Sequence, residues 1–176
     1  MTRAPVVWLT GPPASGKSTI ASALAAELLA AGQRVEVIDG DLVRRTISQD
    51  LGYAKADRDE QVRRVAELAD RAASGGAVAI VGLVSPYRAA RDAARAALDP
   101  FIEVHVDCPL PVLVERDPKG HYREALAGRR PHFTGVDDPY EPPLAPELRI
   151  RTDQETVAES VRRIRTVLAA LQDRPT

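Results

Sequence analysis

A single cysteine, Cys108, stands among 176 residues, so no intramolecular disulfide can form, and cysteine and histidine nowhere fall at metal-ligand spacing. A reducing, cytoplasmic setting is expected. No uninterrupted apolar run is long enough to span a bilayer, and Met1-Thr2-Arg3-Ala4-Pro5 leads into the first apolar run without the core of a signal peptide, so no membrane association is expected. Neither sign of charge is in excess: 24 Lys and Arg stand against 25 Asp and Glu, a formal net charge of −1. Nothing in that total draws the chain to nucleic acid, and any anion must be bound locally. Lysine itself is scarce, with only Lys17, Lys55 and Lys119 among the basic residues. No repeat, low-complexity tract or linker divides the chain, and its 44% hydrophobic content suits one compact domain over residues 1–176.

What is present begins with Gly11-Pro12-Pro13-Ala14-Ser15-Gly16-Lys17-Ser18, which fits the phosphate-binding pattern G-x-x-x-x-G-K-[ST] without a gap. Several backbone N–H groups hold a triphosphate best together, and glycine lets the backbone turn close to phosphate oxygens. Lys17 then reaches the outer phosphates and Ser18 a magnesium ion. One of the three lysines thus falls where a compact point charge is needed. The alternative is a glycine turn with no ligand, but the apolar run 6–10 before it and the helical pattern 18–31 after it supply the strand-loop-helix order the motif requires.

Further apolar runs at 34–38, 77–81, 101–106 and 148–150 read as strands. Helical stretches are predicted over 57–73, 86–98 and 153–171, the last opening on a Thr152-x-x-Glu155 capping box. This alternation predicts an α/β fold, a parallel sheet with helices on both faces, whose near-continuous apolar strands are covered on both sides. Ligands then gather beyond the carboxyl ends of the strands.

Four clusters lie there. Asp39-Gly40-Asp41 offers two carboxylates, one for a metal shell and one to orient or deprotonate an attacking oxygen, or else a cap for the helix starting near Leu42. Arg44, Arg58, Arg63 and Arg64 suit a phosphate or sulfate group, although Arg63 and Arg64 fit equally well as partners of Glu60 and Glu67. Ser85 before Pro86 reads as a helix N-cap, with an added role toward an anionic substrate. Arg116 to Gly120, with the glycine- and proline-bounded stretch 133–141, reads either as part of a lid over residues 116–147 or as an ordinary surface loop.

Taken together, GPPASGKST at 11–19, the DGD block at 39–41 with Arg44, DLGY at 50–53, ADRDEQVRRVAE at 56–67, SPYRAARDAAR at 85–95, FIEVHVD at 101–107, ERDPKGHYREALAG at 115–128 and FTGVDDPYE at 133–141 resemble the adenylylsulfate kinase family. These blocks span almost the whole chain in the family's order. The resemblance implies a P-loop NTPase fold related to nucleoside monophosphate kinases, a homodimer, a mobile lid, and ATP with magnesium. The implied reaction phosphorylates the 3′-hydroxyl of adenosine 5′-phosphosulfate in sulfate assimilation.

By position, the resemblance assigns Gly11, Ala14, Ser15, Gly16, Lys17, Ser18 and Thr19 to ATP, with Arg116 and the region of Glu155 by its base. Ser18 and Asp39 fall to the metal, and Asp41 to the acceptor hydroxyl as base. Arg44 and Arg58 fall to the phosphosulfate, Tyr53 and Phe133 to the two sides of the acceptor adenine, and Gln61, Val84, Ser85, Lys119 and His132 to the rest of that pocket. Lys17, Asp39, Asp41 and Ser85 form its catalytic set.

The chain departs from the family pattern at Leu42, Tyr53 and Gln61, and in Gly82-Leu83-Val84. Tyr53 keeps a ring and Gln61 an amide, whereas Leu42 lacks the hydrogen-bonding side chain the pattern has there. A different nucleotide-like or phosphorylated acceptor, or a non-catalytic nucleotide-binding module, are the alternative readings.

Overall fold

The computed structural model describes residues 3–172. Five strands form one parallel sheet: β1 (Val6–Thr10), β2 (Val35–Asp39), β3 (Val78–Leu83), β4 (Phe101–Asp107) and β5 (Leu148–Arg151), in the order β2-β3-β1-β4-β5. Period-two alternation along the central strand sends Val6 and Trp8 to one face and Val7 and Leu9 to the other, and each set joins a separate core. On the first face lie α3 (Lys55–Ser74) and α4 (Arg88–Ala97), which bury Val62, Val65, Ala69, Ala73 and Ala94. On the second lie α1 (Lys17–Ala30) and α7 (Val157–Gln172), through Ile20, Leu24, Leu28, Val161, Ile164 and Leu168. The expected doubly covered parallel sheet is therefore observed. No helix among the described residues is long and apolar enough to cross a membrane.

The edges differ from the expectation. In β2, Glu36 and Val37 are exposed, and in β5 Arg149 is exposed, because an edge strand has a neighbour on one side only. Between β2 and α3 lies α2 (Gly40–Thr46), and after β4 come α5 (Leu110–Arg116) and α6 (His121–Leu126), two short helices not marked in the sequence reading. These last two enclose a third small core of Cys108, Leu113, Tyr122, Ala125 and Phe133, against which Ala14 of the phosphate loop packs. Helix α7 starts later than its apparent capping box. Its cap is the next repeat of the same pattern, with Thr156 N–H donating to Glu159 at 2.7 Å and Glu159 N–H to Thr156 Oγ1 at 3.2 Å.

One buried ion pair joins α4 to the sheet and to the segment that precedes β5. Arg91 Nε donates to Glu103 Oε1 at 2.8 Å, and the other two guanidinium nitrogens donate to the carbonyls of Ser85 and Glu141, each at 2.6 Å. The two side chains are 1% and 8% exposed, so neither charge has water to fall back on. Removing Arg91 leaves the buried Glu103 carboxylate with only the half-exposed Arg95, 3.1 Å away, and strips the Ser85 and Glu141 carbonyls of their donor. Arg91→Ala is expected to lose about 3–5 kcal/mol of unfolding free energy in urea titrations, and a loss below about 1 kcal/mol, the range of an exposed pair, would contradict this account of the network.

Candidate active site

The phosphate loop lies at the carboxyl end of β1, in the middle of the sheet. Its glycines are required by geometry at two points. A Cβ at Gly11 would sit 2.3 Å from the Val106 carbonyl oxygen, and Gly16 holds φ 104°, a left-handed value open to glycine and costly for other residues. The loop is pinned from outside as well: Tyr122 Oη donates to the Pro13 carbonyl at 2.8 Å, and Thr152 Oγ1 to the Ser15 carbonyl at 2.9 Å. Lys17 Nζ donates to the carbonyls of Gly11 at 2.8 Å and Pro12 at 2.7 Å. Desolvation draws its ammonium down to about 8, against the upward pull of Asp41 and Asp39 and with added repulsion from Lys119.

The two carboxylates have separate surroundings. Asp39 ends β2 opposite Gly82 of β3; its Oδ1 accepts the backbone N–H of Asp41 at 2.8 Å and of Leu42 at 3.1 Å, which makes it the cap of α2. Its Oδ2 accepts from Ser18 Oγ at 3.0 Å. The capping and site roles therefore fall on one residue, through different oxygens. Asp41 instead faces Lys119 Nζ, 2.8 Å away, with both side chains more than half exposed. Burial raises the Asp41 carboxyl, but the Lys119 hydrogen bond and charge, helped by Lys17 and Arg45, bring it below the ordinary aspartate value.

Across the opening stand the aromatic and arginine residues. Arg44 donates to the Gly52 carbonyl at 2.7 Å and lies over the Tyr53 ring, 4.7 Å from its centre. Arg58 donates to the Tyr53 carbonyl at 3.0 Å and to the His132 carbonyl, and lies 3.6 Å from Asp138. Arg63 and Arg64 point elsewhere. They pair with Glu60, Glu67 and Asp50 on the outer side of α3, so the ion-pair reading holds for them. Phe133 is only 6% exposed, edge-on to Tyr122 at 4.9 Å and overlain by Arg130 at 5.6 Å. Its position is fixed by Asp137, whose carboxylate accepts the N–H groups of His132 and Phe133 at 2.7 Å each.

Loop, carboxylates, arginines and rings line one cavity of about 1070 Å³. Every expected site residue except Gly11 and Ser15 is on its wall, and those two are buried within the loop itself. Arg116 is there too, anchored on Thr152 by bonds of 2.9 Å to the hydroxyl and 2.6 Å to the carbonyl. Leu42 is absent from the wall, and its side chain is 53% exposed. Sequence reasoning missed Tyr122, Arg130 and Thr134, whose placement depends on how the segment after β4 folds. It misassigned Thr152, whose local pattern imitates a helix cap.

Ser85 requires a correction. It does not cap α4, which starts at Arg88; the backbone N–H of Arg88 is taken instead by the Glu141 carboxylate at 2.8 Å. Ser85 is 1% exposed and holds φ 40°; its Oγ accepts from Trp8 Nε1 at 3.1 Å and lies 3.0 Å from Thr10 Oγ1 and 3.2 Å from the Leu83 carbonyl. Its hydroxyl is thus committed to internal partners.

A parallel sheet with a phosphate loop at its centre, and an acidic pair where edge strand β2 passes into α2, defines a P-loop kinase. The adenylylsulphate kinase family model matches residues 3–151, and the chain belongs to that family. It is 46% identical over 169 residues to the adenylyl-sulfate kinase of Microcystis aeruginosa, covering 96% of this chain and 93% of that protein. It is 50% identical over 159 residues to that of Deinococcus deserti, covering 90% and 88%. The structure of the Mycobacterium tuberculosis APS kinase in complex with AMPPNP and APS superposes with a TM-score of 0.92 at 38% identity, covering 96% of this chain and 99% of that one. The protein is accordingly an ATP-binding phosphotransferase.

Two outcomes follow for the nucleotide side and for Ser85. Bound phosphates restore the charge of Lys17, so nucleotide binding should take up about half a proton at pH 8 and almost none at pH 6.5. Affinity is then level below about 8 and falls as pH rises above it, which calorimetry in buffers of different ionisation heat will read; no uptake at pH 8 excludes the lowered lysine. Ser85→Ala should keep the transfer rate within about threefold while costing about 1–3 kcal/mol of stability, because the Trp8 N–H loses its acceptor. Loss of turnover without loss of stability would restore a chemical role to Ser85.

Proposed function

We propose that the protein transfers the γ-phosphoryl group of ATP to the 3′-hydroxyl of adenosine 5′-phosphosulfate. The observation that carries this reading is the single cavity that joins the phosphate loop to the Tyr53, Arg44, Arg58 and Phe133 wall, with Asp41 between them. In it the loop and Lys17 hold the outer phosphates, and Tyr53 with Phe133 flanks the acceptor base. Arg44 and Arg58 face the phosphosulfate, and Gln61, Val84, Ser85 and His132 complete the wall.

Asp41 takes the proton of the 3′-hydroxyl as its oxygen bonds to the γ-phosphorus; the bond from that phosphorus to the bridging oxygen breaks and ADP leaves. Lys119 turning from Asp41 to the substrate raises the basicity of the carboxylate. Ser18 and Asp39 fit a magnesium ion: a hydroxyl and a carboxylate oxygen 3.0 Å apart beside the loop, hard oxygen donors of the type that ion takes together with phosphates. When bound it would supply positive charge that offsets that of the phosphates. Segment 116–147 serves as the lid that excludes water.

Leu42 was the strongest argument for another acceptor. Its exposed position off the cavity wall speaks against that argument. The proposal extends to a cytoplasmic homodimer in sulfate assimilation, to which the buried free thiol of Cys108 is suited.

An ADP-release assay with adenosine 5′-phosphosulfate tests the reaction, and release no faster than ATP hydrolysis by water would sink it. Asp41→Asn is expected to lower kcat at least about 100-fold and to leave the dissociation constant of ATP within about twofold. A retained rate removes the base assignment and leaves the rest of the site standing.

A further inference from the structure

Arg44, Arg58, Arg116, Arg129 and Arg130 are the arginines that line the cavity. All but the last are bonded to the protein. Arg44 and Arg58 donate to backbone carbonyls, Arg116 is anchored on Thr152, and Arg129 holds Glu124 with both arms of its fork, at 2.7 and 2.8 Å. Arg130 has no hydrogen bond and no ion pair among the described residues. Its guanidinium lies over the Phe133 ring, 5.6 Å from the centre, and the residue is half-buried. A charge withdrawn from water without a partner costs free energy, and an oxyanion is the partner that a planar fork of N–H donors fits.

The chain places Arg130 in the half of the cavity assigned to the acceptor. Arg58 is bonded to the His132 carbonyl, two residues further on, and the donor half has its own arginine in Arg116. The acceptor half is also short of unopposed positive charge. Adenosine 5′-phosphosulfate carries a negative charge on its phosphate and another on its sulfate, whereas Arg58 already lies 3.6 Å from Asp138 and Lys119 2.8 Å from Asp41. Arg130 has no carboxylate within ion-pair distance among the described residues, and its field reaches its neighbours on the wall. His121 stands edge-on to the same Phe133 ring at 6.3 Å, and its imidazole is lowered first by burial and then by the Arg130 charge.

We propose that Arg130 is a third arginine for the acceptor, its guanidinium turning from the Phe133 ring to grip the oxygens of the phosphosulfate group. The inference rests on the acceptor being that nucleotide, as set out above. Arg44 and Arg58, tied to the backbone, fix where the group sits, and Arg130 supplies the charge that no carboxylate opposes. A contact with a ring is weaker than a charge-assisted fork, so the exchange is favourable.

Arg130→Met keeps an apolar stem over Phe133 and removes the charge. Calorimetric titration of adenosine 5′-phosphosulfate into the ADP-loaded protein should give a dissociation constant raised about tenfold, with that of ATP within about twofold and Tm within about 2 °C of the parent. Arg130→Lys, which keeps the charge without the fork, should hold the rise to about threefold. In the transfer assay the same tenfold appears in the KM for the acceptor at unchanged kcat. An acceptor affinity unchanged in Arg130→Met overturns the inference and leaves the proposed reaction standing. A loss that falls on ATP instead overturns it as well, as does a drop in Tm with both constants shifting together. If the parent protein binds no adenosine 5′-phosphosulfate, the inference fails along with the reading it rests on.

Discussion

The rest of the site depends on how a lysine ammonium is kept beside a glycine-rich loop. Lys17 is drawn well below its ordinary value by desolvation, yet two carbonyls of its own loop and the field of two aspartates hold it in position. That balance requires the loop to keep one shape. Two bonds from outside supply the constraint, from Tyr122 on α6 and from Thr152 just after β5. The loop is thus fixed by elements more than a hundred residues away along the chain, while glycine at 11 and 16 only permits its path.

A second fixed point lies on the acceptor side. Arg91 ties the Ser85 loop to the start of the stretch leading into β5, and the Glu141 carboxylate caps α4 in return. Tyr140 adds a 3.0 Å contact from its hydroxyl to Thr10 Oγ1 and stacks on His105. Burial pushes Tyr140 up to about 12, so the phenol keeps its proton across the neutral range. The segment proposed as a lid therefore has a firmly bonded root, and whatever movement it makes must take place between residue 116 and that root.

Legibility in the sequence followed the range of the interactions. The phosphate loop could be read because its chemistry is contiguous in the chain, and the central strands because burial on both faces leaves continuous apolar runs. The Thr152 and Ser85 caps were misread because a cap depends on which N–H groups are free, and the Arg88 N–H at the start of α4 is met by Glu141, 53 residues away. Leu42 illustrates the opposite case: in sequence a polar-to-apolar departure keeps another acceptor open as an alternative, whereas in space the residue is exposed and off the cavity wall. Arg130 carried no signal at all, since one arginine among many becomes notable only when it lines the cavity without a bond to the described protein.

The Asp41–Lys119 contact shows why the charge of the site has to be considered as a whole. The carboxylate is held ionised and weakly basic by the lysine, and Lys119 in turn adds to the repulsion that lowers Lys17. A negatively charged ligand that attracts Lys119 thus changes both partners at once: Asp41 gains basicity, and Lys17 loses a repelling neighbour as it gains phosphate partners. The two sides of the cavity, proposed to take donor and acceptor, are coupled through the exposed ammonium of Lys119. The scarcity of lysine in this chain acquires meaning here, because two of its three lysines stand on either side of Asp41.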